Sequence, residues 1–277
     1  MLDVELDNRF VEEVNVYVEY TDSTVSIDRE KQGQRCVAIE RPQLTLDKVI
    51  DGMAKNGGYN KQNLRVKFSA KICTVLRSIG KALRHLHFSG VVHGNVCMET
   101  CGKFKNHWKL LERLEVQAIG KIFDPTRFRH AFPPESLEFS AEHQNMIYDS
   151  DSAVITFGKE IKSEVSIDIW MFGTICYESL VGKSLIDFDT NNNSPTDDVV
   201  ALLQTKEWDE SNMKNVFMDL INTGIGDDGA DMITSCLFPR PEQRPSSMDE
   251  ILENPFWTKI HSRRSSERKQ DSQRHEI

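Results

Sequence analysis

The sequence predicts an α+β chain, with a small β-rich portion near the N-terminus and a larger, mostly α-helical C-terminal part. Two local patterns and one global figure carry this. Residues 14–27 alternate in strand fashion: Val14, Val16, Val18 and Tyr20 share one side, and Val25 and Ile27 follow the polar break Thr21-Asp22-Ser23. From Asn63 to His87 the apolar residues Leu64, Phe68, Ile72, Val75, Leu76, Ile79, Leu83 and Leu86 fall at helical spacing. At 277 residues, 39% apolar and 28% charged, the chain can bury one good core and has the composition of an ordinary globular protein.

These totals also exclude function classes. A formal charge of −9 argues against a nucleic-acid partner over most of the surface. No apolar run approaches the roughly 18 residues that a membrane helix needs, so no membrane span is expected. Met1-Leu2-Asp3-Val4-Glu5 offers neither the basic start nor the apolar core of a signal peptide. The six cysteines, Cys36, Cys73, Cys97, Cys101, Cys176 and Cys236, form no C-x-x-C pair. Reduced thiols in a cytoplasmic protein are the expectation.

In chain order, a charged turn at Lys31-Gln32-Gly33 leads to a second apolar strand, Cys36-Val37-Ala38-Ile39. The long helix over 63–87 meets its stop at Gly90. The short apolar run Val91-Val92 follows, and a polar turn begins at His93. Ser136 to Lys162 is polar and mixed and reads as a surface insertion. Asp187 to Asn193 reads as a loop. Ser194-Pro195-Thr196-Asp197 has the makings of a helix start, with Ser at the N-cap, Pro in the first turn and an acid at the third position. Ala230–Leu237 and Met248–Leu252 are short helices. Residues 261–277 are polar and charged with almost nothing to bury, so disorder is expected there.

The stretch His93-Gly94-Asn95-Val96-Cys97-Met98-Glu99-Thr100 resembles the catalytic loop of the protein kinase superfamily, H-R-D-L-x-x-x-N. Glu112-Arg113-Leu114 falls where that family has D-F-G, and Pro133-Pro134-Glu135 where it has A-P-E. Asp168-Ile169-Trp170-Met171-Phe172-Gly173 resembles its central D-x-W-x-x-G helix, and Pro239 to Ser246 its closing motif. The resemblance implies a kinase-like fold in three parts. Residues 1–47 would be the last strands of the small lobe and its hinge at Glu40-Arg41-Pro42, with a short helix following over 46–53. Residues 48–260 would be the helical large lobe, and 261–277 the tail.

The resemblance also assigns roles. Glu135 would pair with Arg244, Asp168 would bond the loop backbone, and His93 would brace the same loop. All four residue types are intact. The positions of chemistry are altered. Asn95 stands at the catalytic aspartate and cannot accept a proton at its amide, where a general base is worth roughly 10²–10⁴-fold. Cys97 stands at the loop lysine, Gly94 at the arginine and Thr100 at the metal-binding asparagine. Glu112 keeps a carboxylate at the other magnesium position, with an extra methylene. ATP and magnesium are the cofactors that the resemblance implies, and no residue is assigned to hold nucleotide.

Four further patterns carry less. Val37-Ala38-Ile39-Glu40 looks like V-A-I-K, but only about 50 residues separate it from His93, too few for the intervening elements. Gly224-Ile225-Gly226-Asp227-Asp228-Gly229 has the G-x-G-x-x-G spacing, but it follows a helix and its aspartates repel phosphate, so it reads as an interhelical turn. His93, Cys97, Cys101 and His107 lack a standard zinc spacing. Arg263-Arg264-Ser265-Ser266 resembles a site for basic-directed kinases. The sequence thus predicts a pseudokinase: a kinase-like scaffold that binds a protein partner. The alternatives are a weak or atypical ATP-dependent protein kinase, or a piece of a longer kinase.

Overall fold

The computed structural model describes residues 42–59, 62–111, 116–123, 133–139, 155–157, 161–185, 188–189, 194–195, 207–208 and 210–259. The strands expected over 14–39, the hinge residues Glu40 and Arg41, Glu112-Arg113-Leu114 and the tail 261–277 lie outside the described residues.

Leu44–Thr45 (β1) runs into the helix Leu46–Lys55 (α1), which buries Leu46, Ile50 and Met53 at the i, i+4, i+7 spacing of one face. The long helix Gln62–Phe88 (α2) follows, within a residue of the predicted span at each end. Its predicted stripe is buried: Ile72, Val75, Leu76, Ile79, Leu83 and Leu86 are all at most 7% exposed. Gly90 ends it in the left-handed conformation, φ +74, with its N–H on the His87 carbonyl at 3.0 Å.

Val91–Val92 (β2) leads to the polar turn, a 3-10 turn at Met98–Thr100, and a hairpin of Cys101–Phe104 (β3) and His107–Leu110 (β4). Strand β1 joins this hairpin in the order β1-β3-β4, with Leu44 opposite Lys103. Gln117–Ala118 (β5) returns to pair antiparallel with β2, Val91 opposite Ala118. Ile122–Phe123 (β6), Leu137–Phe139 (β7), Ile155–Phe157 (β8) and Ile161–Lys162 (β9) form two antiparallel pairs, β6 with β9 and β7 with β8.

Val165–Val181 (α3) is apolar on every side and is buried on every side, as a central helix must be. Gly173 lets the helix Asp227–Cys236, described below, approach it: a Cβ there would lie 2.8 Å from Cys236 Cβ and 2.9 Å from Leu237. Phe188–Asp189 (β10) and Ser194–Pro195 (β11) pair antiparallel. The sequence reading opens a helix here; Ser194 and Pro195 themselves are extended, with Ser194 opposite Asp189, and the remainder of that segment, 196–206, lies outside the described residues.

Glu210–Ile221 (α4), Asp227–Cys236 (α5) and Met248–Leu252 (α6) complete the helical part and pack against α2 and α3. Of the glycine-rich stretch at 224–229, Gly224-Ile225-Gly226 belongs to the turn between α4 and α5, and Asp227-Asp228-Gly229 form the first turn of α5. Among the described residues, no helix is long and apolar enough to cross a membrane.

Candidate functional site

The site is built on the N-terminal end of α3. Asp168, in the first turn of that helix, is fully buried. Its carboxylate receives three hydrogen bonds. Gly94 N–H donates to Oδ1 at 2.8 Å, and His93 N–H and His87 Nε2–H both donate to Oδ2 at 2.8 Å. Burial alone would push this carboxyl up. The bond and charge of His87 and the Gly94 amide outweigh burial and hold it below the usual carboxylate value.

His93 is equally committed. Its ring Nε2 donates to the Leu111 carbonyl at 2.9 Å, and Nδ1 accepts from the Asn95 N–H at 3.3 Å. One donor and one acceptor define the neutral Nε2–H tautomer. The ring thereby ties the start of the loop to the end of β4, eighteen residues on. Gly94 adopts φ +71, a left-handed conformation that lets two successive amides face one carboxylate. Val96 N–H reaches the Met171 sulfur at 3.4 Å, a further tie to α3.

The loop side chains are occupied with the loop itself. Thr100 is fully buried, and its hydroxyl accepts from Cys97 N–H at 3.0 Å and faces the carbonyls of Cys97 and Asn95 at 2.9 and 3.2 Å. Burial, aided by the Glu99 carboxylate, pushes the Cys97 thiol up to about 11, so it is neutral at pH 7. Cys101 donates its S–H to the Cys97 carbonyl at 3.3 Å. Asn95 is 1% exposed. Among the described residues, no group of three or more His, Cys, Asp or Glu side chains could hold a metal ion.

The second anchor lies at the other side of the same helix end. Arg244 forms a bidentate pair with Glu135, both N···O distances being 2.7 Å. Its remaining donors go to the carbonyls of Ser166 at 2.9 Å, Phe238 at 2.7 Å and Pro239 at 2.8 Å. All five guanidinium N–H groups are therefore satisfied. The guanidinium also lies 4.9 Å from the centroid of the Trp170 ring, which stacks on Trp208 at 6.4 Å.

The structure thus brings His93, Asn95, Cys97, Thr100 and Asp168 into one loop-and-helix unit, and Glu135 and Arg244 into another. Glu112 lies outside the described residues. Sequence reasoning missed His87, the third donor to Asp168. The signal available was a histidine at the end of an apolar helix, three residues before its glycine stop.

No family model matches the chain, and no curated protein matches it. Solved structures do. The chain is similar to a rhoptry kinase from Toxoplasma gondii, with a TM-score of 0.56 and 16% identity over 83% of this chain. It spans 56% of that kinase's length. It is also similar to the Cydia pomonella granulovirus kinase, with a TM-score of 0.50 and 15% identity, covering 90% of this chain and 76% of that one. With these neighbours, a mostly helical body with few short strands, and loop and helix motifs in matching order, the chain has an α+β, protein-kinase-like fold.

Proposed function

We propose that this chain is a catalytically impaired kinase-like domain, a pseudokinase, that acts by binding a protein partner. One observation carries the reading: the loop at 93–100 keeps its shape through backbone bonds while its side chains offer little to phosphoryl transfer. Such transfer needs a positioned base or orienting group, magnesium, and cations on the phosphates. Asn95 carries an amide where the family has a carboxylate. Cys97 carries a neutral thiol where the family has an ammonium. Thr100's hydroxyl is engaged with the backbone of its own turn. At the described magnesium position a hydroxyl, a weak ligand, replaces an amide oxygen, and Glu112, the other position, lies outside the described residues.

The test is phosphotransfer and nucleotide binding by the full chain. Labelled ATP with magnesium, offered with generic protein substrates, is expected to yield no transfer, and millimolar nucleotide no shift in melting temperature. Transfer by the wild type that disappears in Glu112→Ala would overturn the reading and establish a working kinase.

A further inference from the structure

Helix α2 turns one side to the core and another to solvent. Arg77, Lys81 and Arg84 are spaced four and three residues apart, so they share one helix face, and Phe88 continues it. The buried stripe of Ile72, Leu76, Ile79, Leu83 and Leu86 lies on the opposite side. Like charges one turn apart repel. Partial burial, together with the charges of Arg77 and Arg84, holds the Lys81 ammonium below its ordinary value. Arg84 meets a carboxylate, Asp249 at 3.5 Å, and both side chains stay largely open to solvent.

At the end of the stripe, Phe88 is 92% exposed. Ile119, whose N–H donates to the Gly90 carbonyl at 2.9 Å, is 44% exposed, and Ile122 is 61% exposed. A basic helix face ending in the exposed Phe88 stands out on a chain of net charge −9.

We propose that the α2 face bearing Lys81, Arg84 and Phe88 docks an acidic segment of a partner protein, one that also carries an apolar residue to cover Phe88. This rests on the reading of the chain as a protein-binding domain and gives its partner a chemistry. The track is one helix wide. Asp249 and Glu253, exposed on the neighbouring α6 and the turn after it, repel a broad anionic surface such as a bilayer or a duplex. A single extended or helical segment is narrow enough to clear Glu253 and to compete with Asp249 for Arg84, whose pair is long and open to solvent.

The test is fluorescence anisotropy of a labelled peptide rich in Asp and Glu and carrying two Leu, titrated with the full chain. A twin peptide with Asn and Gln in place of the acids is the control. The acidic peptide is expected to bind about tenfold more tightly than its twin and to weaken about tenfold at high salt, because screening acts on exposed charges. Lys81→Glu with Arg84→Glu is expected to weaken binding about tenfold and Phe88→Ser about threefold. Lys214→Glu, on α4, is expected to change nothing. Arg84 and Phe88 are exposed and Lys81 is half-buried, so unchanged melting curves of the variants serve as the folding control. Equal binding of the two peptides, or wild-type affinity in the charge-reversed variant, overturns the proposal. So does loss in that variant of phosphatidylserine-vesicle binding or of self-association, with the acidic peptide bound no better than its twin. Phosphotransfer activity would sink the impaired-kinase reading and leave the peptide affinities as they are, so the two failures are separable.

Discussion

Two anchors at one end of the central helix hold the helical body together in different ways. Arg244 grips side chain to side chain, through a bidentate pair with Glu135, and fills its other donors with carbonyls. Asp168 grips mainly backbone, the amides of His93 and Gly94, with His87 as its one side-chain partner. The difference matters for what can change. An anchor that reads a side chain demands that residue. An anchor that reads amides demands only a path, so Gly94, Asn95 and Cys97 can stand where the family has other residues while the loop keeps its course.

Breaking the side-chain anchor has the largest expected effect. Arg244→Ala leaves Glu135 unpaired and takes a donor from the carbonyls of Ser166, Phe238 and Pro239, at a cost of about 3–5 kcal/mol. A thermal melt is expected to drop on the order of 10 °C, and an unchanged melt would show that the clamp bears no weight. Arg244→Lys rescues only part, since an ammonium cannot make the fork.

The backbone anchor comes next. Asp168→Asn is expected to cost roughly 2–4 kcal/mol, because an amide cannot accept from all three donors. The effect carries a pH signature. The Asp168 carboxyl is held below its ordinary value in the fold. Its contribution is therefore fully present above the unfolded value of about 4 and is lost as pH falls through the lowered folded value. Urea midpoints of wild type and Asp168→Asn should converge toward the acid end, and a constant gap would contradict the assignment.

A sharper probe of the loop path is Gly94→Ala. A Cβ at φ +71 is strained, at about 1–2 kcal/mol, with no lost hydrogen bond. The smallest effect is expected at the thiols. The five described cysteines, Cys73, Cys97, Cys101, Cys176 and Cys236, are all buried. Cys97 is pushed up to about 11. None of the five should react with a thiol reagent at neutral pH until denaturant is added. Prompt labelling of Cys97 would mean that the loop opens.

Much of this was legible along the chain. The stripe from Ile72 to Leu86, the stop at Gly90 and the all-apolar helix around Trp170 follow from local spacing, and each formed as its residues required. The partnerships of Glu135 with Arg244 and of Asp168 with the loop were reached only through resemblance to a family. Their partners stand 109 and 74 or 75 residues apart, beyond any local pattern. The pairing of Ser194 and Pro195 with Phe188 and Asp189 was likewise beyond local reading, because a strand partner leaves no periodic signal in so short a run.

By itself, then, the sequence determined which segments are helices and which faces they bury, because backbone propensity and apolar periodicity act within a few turns. The tertiary structure alone decided that His87 completes the Asp168 site, that Thr100's hydroxyl is occupied by its own loop, and that Arg244 has no donor to spare. Hydrogen bonds between distant segments exist only once packing has brought donor and acceptor within about 3 Å.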